Sequence, residues 1–171
     1  MGYKDKYKNN STKKFFANLP TDLVERTPLA SFVKFNFKYL DVSREEEGFC
    51  SFLTLSDDQK KLIFEKIKEF SGNSKYHWEC VAKLGKHHVL EKYTDDVLKE
   101  KCPPLPKHVP VDVEWYRWRL QWDFRLVGFF LAKGRWREEV KIGGDSYFLD
   151  PNAFYLVYID PQHKFYNSSK K

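Results

Sequence analysis

No stretch of this chain approaches the roughly 20 consecutive apolar residues that span a bilayer as a helix, so no membrane anchor is expected. The opening MGYKDKYKNNSTKKFF is basic but lacks the apolar core of a secretory signal. Lys6 stands where an N-myristoylation pattern needs Ser or Thr. Cysteine is scarce: Cys50, Cys80 and Cys102 are odd in number and have no CxxC spacing. That argues against a disulfide framework and a zinc knuckle, and points to a reducing, cytoplasmic setting. HExxH, an Asp-rich calcium loop and GxSxG are all missing. Gly143–Gly144 lacks the Lys-Ser/Thr of a phosphate-binding loop and is better explained as a hairpin turn. His87 and His88 are adjacent, and neighbouring side chains on a strand point to opposite faces, so they make a poor ligand pair. No metal and no cofactor is expected.

Aromatic residues and positive charge are what the chain has in excess. It carries 15 Phe, 10 Tyr and 5 Trp in 171 residues, with a formal net charge of +6. Aromatic side chains supply large buried area, and in a basic protein they also offer stacking surfaces for nucleobases. An anionic partner is favoured, nucleic acid first. Residues 1–40 hold 8 Lys/Arg against 3 Asp/Glu, and residues 101–171 hold 12 against 8. Residues 41–100 hold 10 against 13, so the excess sits at the two ends. The C-terminal part is where it meets the aromatics.

The length fits one domain with one core. Residues 1–13, polar and rich in Lys and Asn, read as a flexible basic arm, leaving 14–171 as a single α+β domain. SFVKFNFKYLDV, 31–42, alternates Phe35, Phe37 and Tyr39 with Lys34, Asn36 and Lys38, which predicts a half-buried strand. LSDDQKKLIFEKIKEFSG predicts a helix: Ser56 and Gln59 form a capping box, Asp57 and Asp58 suit the positive helix end, and Gly72 supplies the stop. Leu62, Ile63, Ile67 and Phe70 share its apolar face. Residues 74–85 suggest a second short helix packing Trp78, Val81 and Leu84, and 87–93 a short strand. KCPPLPKHVP, 101–110, is a proline-rich connector. DVEWYRWRLQ puts Trp115, Arg117 and Arg119 on one side and Tyr116, Trp118 and Leu120 on the other. A hairpin around Gln121–Asp123 pairs it with DFRLVGFFLAKG, and the nearly continuous apolar AFYLVYID, 153–160, suits a sheet interior. The expected fold is α+β: a mainly antiparallel sheet of four to five strands, with one or two N-terminal helices packed on one face.

Arg117, Arg119, Arg125, His163 and Lys164 come from three successive strands or strand ends. Cleaving RNA without metal needs a base for the 2′-hydroxyl proton, an acid for the leaving 5′-oxygen, and cations for the transition-state charge. His and Tyr can move protons, and the planar guanidinium of Arg matches phosphate bidentately. Plainer roles fit the same residues. Arg117 and Arg119 suit the solvated face of a strand, Tyr116 and Trp118 suit a core, and His163 suits a backbone hydrogen bond in the DPQH turn.

The pairing of RLVGFF with FYLVYIDPQHKFY resembles the RelE/ParE superfamily of bacterial toxins, including its YoeB-, HigB- and YafQ-like branches. The resemblance covers residues 31–166 in element order and the C-terminal part at motif level. It implies a small α+β domain that cleaves mRNA without metal, usually on the ribosome, and is silenced by a cognate antitoxin. Arg125 in DFRLVGFF matches a phosphate-contacting arginine. His163 in IDPQHKFY matches a proton-transferring histidine after the last strand, and Tyr166 a terminal aromatic. HHVL makes His87 and His88 further candidates for the RNA site. The chain departs from the family in its length, its proline connector and its 133–152 excursion. The expected function is thus a metal-independent endoribonuclease of toxin type: His163, Tyr166 and Arg125 are catalytic, and Arg117, Arg119, Lys164, His87 and His88 hold RNA. The alternative is a non-enzymatic nucleic-acid-binding or protein-interaction module using the same face.

Overall fold

The computed structural model describes residues 31–42, 52–132, 139–142, 144–148 and 150–166. Apart from Ser31 these belong to one compact unit, Phe32–Lys171. The proposed arm, 1–13, lies outside the described residues.

Alternation of apolar and polar side chains organises a five-stranded sheet of order β1-β9-β6-β5-β4. Its members are β1 (Lys34–Asn36), β4 (Leu90–Lys92), β5 (Val113–Gln121), β6 (Phe124–Leu131) and β9 (Ala153–Asp160). β4, β5, β6 and β9 pair antiparallel in turn, while β1 lies parallel to β9. The fold is α+β with a mixed, mainly antiparallel sheet. Two short ladders stand apart from it: β2 (Lys83–Leu84) with β3 (His87–His88), and β7 (Glu139–Ile142) with β8 (Asp145–Phe148). Every residue of β6 is buried, as expected for a central strand covered on both sides.

One face is covered by α1 (Asp57–Phe70). The capping box forms as expected: Gln59 N donates to Ser56 Oγ (3.2 Å) and Ser56 N to Gln59 Oε1 (3.0 Å). Ile63 and Phe70 are buried, with Leu62 and Ile67 partly so, in a cluster with Trp78, Tyr116, Trp118, Leu126 and Phe154. Trp118, fully buried, stacks on Phe70 with centroids 4.4 Å apart. Each such side chain contributes about 1.5–3 kcal/mol by leaving water. The 74–85 segment is a five-residue π turn, His77–Val81, rather than a regular helix. Its wider turn shifts the phase, so Trp78 is buried while Val81 and Leu84 stay exposed.

The second face is covered by α2 (Asp95–Lys101), the proline-rich connector and the C-terminal turn. Tyr93, Cys102, Val109, Trp115, Val127, Phe129, Val157, Tyr158 and Phe165 form its core, joined by Val97 and Leu98 of α2. Thr94 caps α2, accepting from Val97 N at 3.4 Å.

The expected 31–42 strand is cut short at Asn36, whose side chain accepts from Lys38 N (2.9 Å) and turns the chain. Phe35 therefore packs in the first cluster, Tyr39 in the second, and Phe37 is exposed. A bulge in β9 falls between the pairs Val127↔Tyr158 and Gly128↔Leu156, which leaves Val157 as the extra residue. Val157 and Tyr158 both join the second cluster as a result. Gly128 has β9 pressed against it, and a Cβ there would collide with Tyr155 O. Among the described residues no helix is long and apolar enough to cross a membrane.

Candidate functional site

Arginine on alternate positions of β5 lands on the second face, at the end of the sheet where β9 finishes. Register puts Arg119 beside Arg125 and Arg125 beside Asp160, while Glu91 of β4 faces Arg117. Glu91 Oε2 accepts from Arg117 Nε (2.8 Å) and from Arg119 Nη2 (2.8 Å), and lies 2.7 Å from Arg117 Nη2. Burial pushes the Glu91 carboxyl up, but the bonds from Arg119 and Arg117 outweigh it and hold the group below its ordinary value. One carboxylate thus serves two of three clustered guanidinium groups.

Arg125 is buried, and its Nη1 donates to the carbonyls of Trp122 and Phe124 (2.9 Å for Phe124). Burial, then the charges of Arg119 and Arg117, lowers its pKa to about 10. Its Nε and that of Arg119 have no hydrogen-bond partner among the described residues. A buried donor left without a partner is costly, and two in one cluster mark a place suited to an acceptor.

His163 arrives from the turn after β9. Asp160, fully buried, accepts from Lys164 N at Oδ1 (2.8 Å) and from Phe165 N at Oδ2 (2.9 Å). Burial pushes the Asp160 carboxyl up, against the opposing pull of these backbone bonds and of Arg125. Phe165, also fully buried, packs among Tyr93, Trp115 and Tyr158. The turn is therefore clamped at both ends, and it holds His163 at φ 54, a conformation uncommon outside glycine. Strained backbone of this kind persists where the surroundings over-determine it.

His163 Nε2 lies 3.0 Å from Arg117 Nη1. Arginine can only donate, so Nε2 is the accepting nitrogen and the neutral ring carries its proton on Nδ1. Burial, then Arg125, Arg117 and Arg119, drives the His163 pKa down to about 4. The ring stacks on Tyr166 at 5.9 Å and 21°. Arg117 sits over the rings of Tyr93 (5.3 Å) and Tyr166 (5.7 Å), and Lys101 Nζ donates to the Tyr166 hydroxyl at 3.4 Å. Glu91, Lys92, Tyr93, Thr94, Arg117 and Tyr166 line a cleft of about 430 Å³ beside this cluster.

Five of the sequence-derived candidates therefore meet: Arg117, Arg119, Arg125, His163 and Tyr166. His87 is mostly exposed, with Nδ1 3.5 Å from Glu91 Oε1. His88 lines the cleft, its Nδ1 buried without a partner among the described residues. Lys164 is exposed, and its backbone N–H serves the Asp160 clamp. Glu91, Tyr93 and Asp160 escaped the sequence reading. The Asp-Pro pair at 160–161 carried a signal, since Asp commonly organises the turn that follows it. Glu91 reaches the site only by cross-strand pairing, which no local pattern encodes. Among the described residues no group of three or more His, Cys, Asp or Glu is arranged to hold a metal. No protein-family model matches the chain, and no curated protein or solved structure does either.

Proposed function

We propose that this chain is a metal-independent endoribonuclease of toxin type, with the arginine cluster and His163 as its site. One observation carries most of the weight: a neutral histidine with an accepting nitrogen sits inside three guanidinium groups. That is the charge pattern suited to a phosphodiester whose 2′-hydroxyl must lose a proton.

In this mechanism the scissile phosphate binds against Arg117 and Arg119, partly replacing Glu91. Its negative charge offsets the cationic field, so the proton affinity of His163 rises only once substrate is in place. With Arg117 drawn from His163 onto the phosphate, the Nε2 lone pair is freed and takes the 2′-hydroxyl proton. The 2′-oxygen then bonds to phosphorus, and the bond to the 5′-oxygen breaks. Tyr166 returns a proton to the leaving oxygen, giving a 2′,3′-cyclic phosphate and a 5′-hydroxyl. Arg125 acts from beneath, holding the β5–β6 turn. By the resemblance, the proposed setting is the cytoplasm, with mRNA on the ribosome and a cognate antitoxin as regulator.

The test is purified protein against labelled RNA in EDTA, with and without translating ribosomes, beside folded His163→Ala and Arg119→Ala variants. Cyclic-phosphate product and a loss of at least about 100-fold in His163→Ala are expected. Cleavage by both variants at the wild-type rate would overturn the assignment. Salt-sensitive binding with no product would favour the second reading, a non-catalytic nucleic-acid face. The bond from Arg117 Nη1 to His163 Nε2 is the observation on that side, because it occupies the nitrogen that would take the proton.

A further inference from the structure

The turn between β5 and β6 has an unexpected residue at its tip. Gln121 pairs with Phe124, so only Trp122 and Asp123 close the hairpin. Trp122 has φ 44, a position where turns take Gly, Asn or Asp, because a bulky side chain is strained there. It is also 88% exposed, whereas Trp78, Trp115 and Trp118 are all buried. The chain thus tolerates two unfavourable features at one residue. Breaches of local rules of this kind concentrate at functional positions.

The tip is also fixed. Buried Arg125 donates Nη1 to the Trp122 carbonyl and to that of Phe124, so the indole projects from a rigid support. Its place relative to the site follows from register. Arg119 and Arg125 face each other three residues before and after Trp122, and Arg125 faces Asp160, from which the His163 turn departs. Asp123, the other tip residue, acts electrostatically on both Arg125 and His163. The indole therefore stands at the same end of the sheet as the arginine cluster.

We infer that Trp122 is a stacking platform for a nucleobase of single-stranded RNA, next to the phosphate site proposed above and resting on that proposal. A base stacked on the indole would fix the strand so that its backbone passes over Arg119 and His163. Stacking of this kind is tolerant of sequence, because every base presents a π face. Trp122 would then set affinity and strand position rather than choice of base.

Trp122→Gly separates this role from a structural one, since the two effects have opposite signs. Glycine relieves the positive φ, so the melting temperature should rise or hold. Affinity for a short 2′-O-methyl RNA, which cannot be cleaved, should fall about tenfold or more. Trp122→Phe should restore part of the affinity. The same oligonucleotide made abasic at one position after another should lose affinity to the wild type at one site, and lose little to Trp122→Gly. Unchanged affinity in a folded Trp122→Gly protein would overturn the inference. That result alongside His163-dependent cleavage would leave the ribonuclease proposal standing. A tenfold loss of binding in a protein that cleaves nothing would do the reverse. Absence of RNA binding by the wild type would overturn both, and would point to Trp122 as an anchor for a protein partner.

Discussion

Lowering the pH from 7 to 4 should destabilise this protein through a single histidine. His163 is held neutral, with its pKa moved from 6.5 to about 4 by burial and the surrounding arginines. An unfolded chain would protonate it near the unperturbed value. Between these limits the unfolded state binds the extra proton and the native state does not, so stability falls as pH falls from about 6.5 to 4. The full gap of about 2.5 units corresponds to about 3.4 kcal/mol at 1.36 kcal/mol per unit. His163 keeps some contact with solvent, and screening reduces this to about 2 kcal/mol. The assay is urea denaturation across pH 4–8 for the wild type and His163→Gln. Their difference should be flat above pH 7 and turn against the wild type below 6.5. NMR of the imidazole should show no titration until near pH 4. A midpoint at or above 6.5, or parallel stability curves, would refute the cationic field inferred for the site.

Three other perturbations probe the same architecture. Asp160→Ala strands the N–H groups of Lys164 and Phe165, and should cost about 2–4 kcal/mol in denaturant unfolding; a loss under about 1 kcal/mol would show that the turn holds itself. Glu91→Gln removes the anion that competes for Arg117 and Arg119. It should strengthen binding of short RNA several-fold while lowering stability by about 1–3 kcal/mol, and weaker binding would mean that Glu91 positions the arginines rather than occupying them. Gly128→Ala drives a methyl into Tyr155 O and should cost about 3 kcal/mol or more; a wild-type melting temperature would contradict the closeness of β6 and β9.

Much of the scaffold was legible because its signals are local. The capping box at Ser56 and Gln59, the alternation through 112–121 and the apolar run 153–160 each specify an element without knowledge of the rest. α2 was overlooked, although Thr94, Asp95 and Asp96 mark its start, because seven residues beside a proline tract give too short a period to register. The 31–42 strand was overextended because alternation continues past Asn36, while the side-chain bond that ends the strand is invisible in a hydropathy pattern. The site was legible only in its arginines, His163 and Tyr166. Its electrostatics depend on Glu91, which is 26 residues from Arg117 and meets it only through β4–β5 pairing. Arg125 carried a clue to its buried position in the surrounding apolar run FRLVGFF, since a charge embedded in such a run is carried inside with it.

The extra residue in β9 makes the site a matter of parity. Upstream of the bulge, even-numbered residues such as Phe154 and Leu156 belong to the α1 side; downstream, odd-numbered Ile159 does. Strict alternation through all eight residues would put Asp160, another even-numbered residue, on the α1 side. The one irregular step at Val157 is what turns Asp160, and with it the His163 turn, to the face that carries the arginines. A strand of the same composition and length, drawn into regular register, would therefore lose the site, because register and not composition decides which face Asp160 takes.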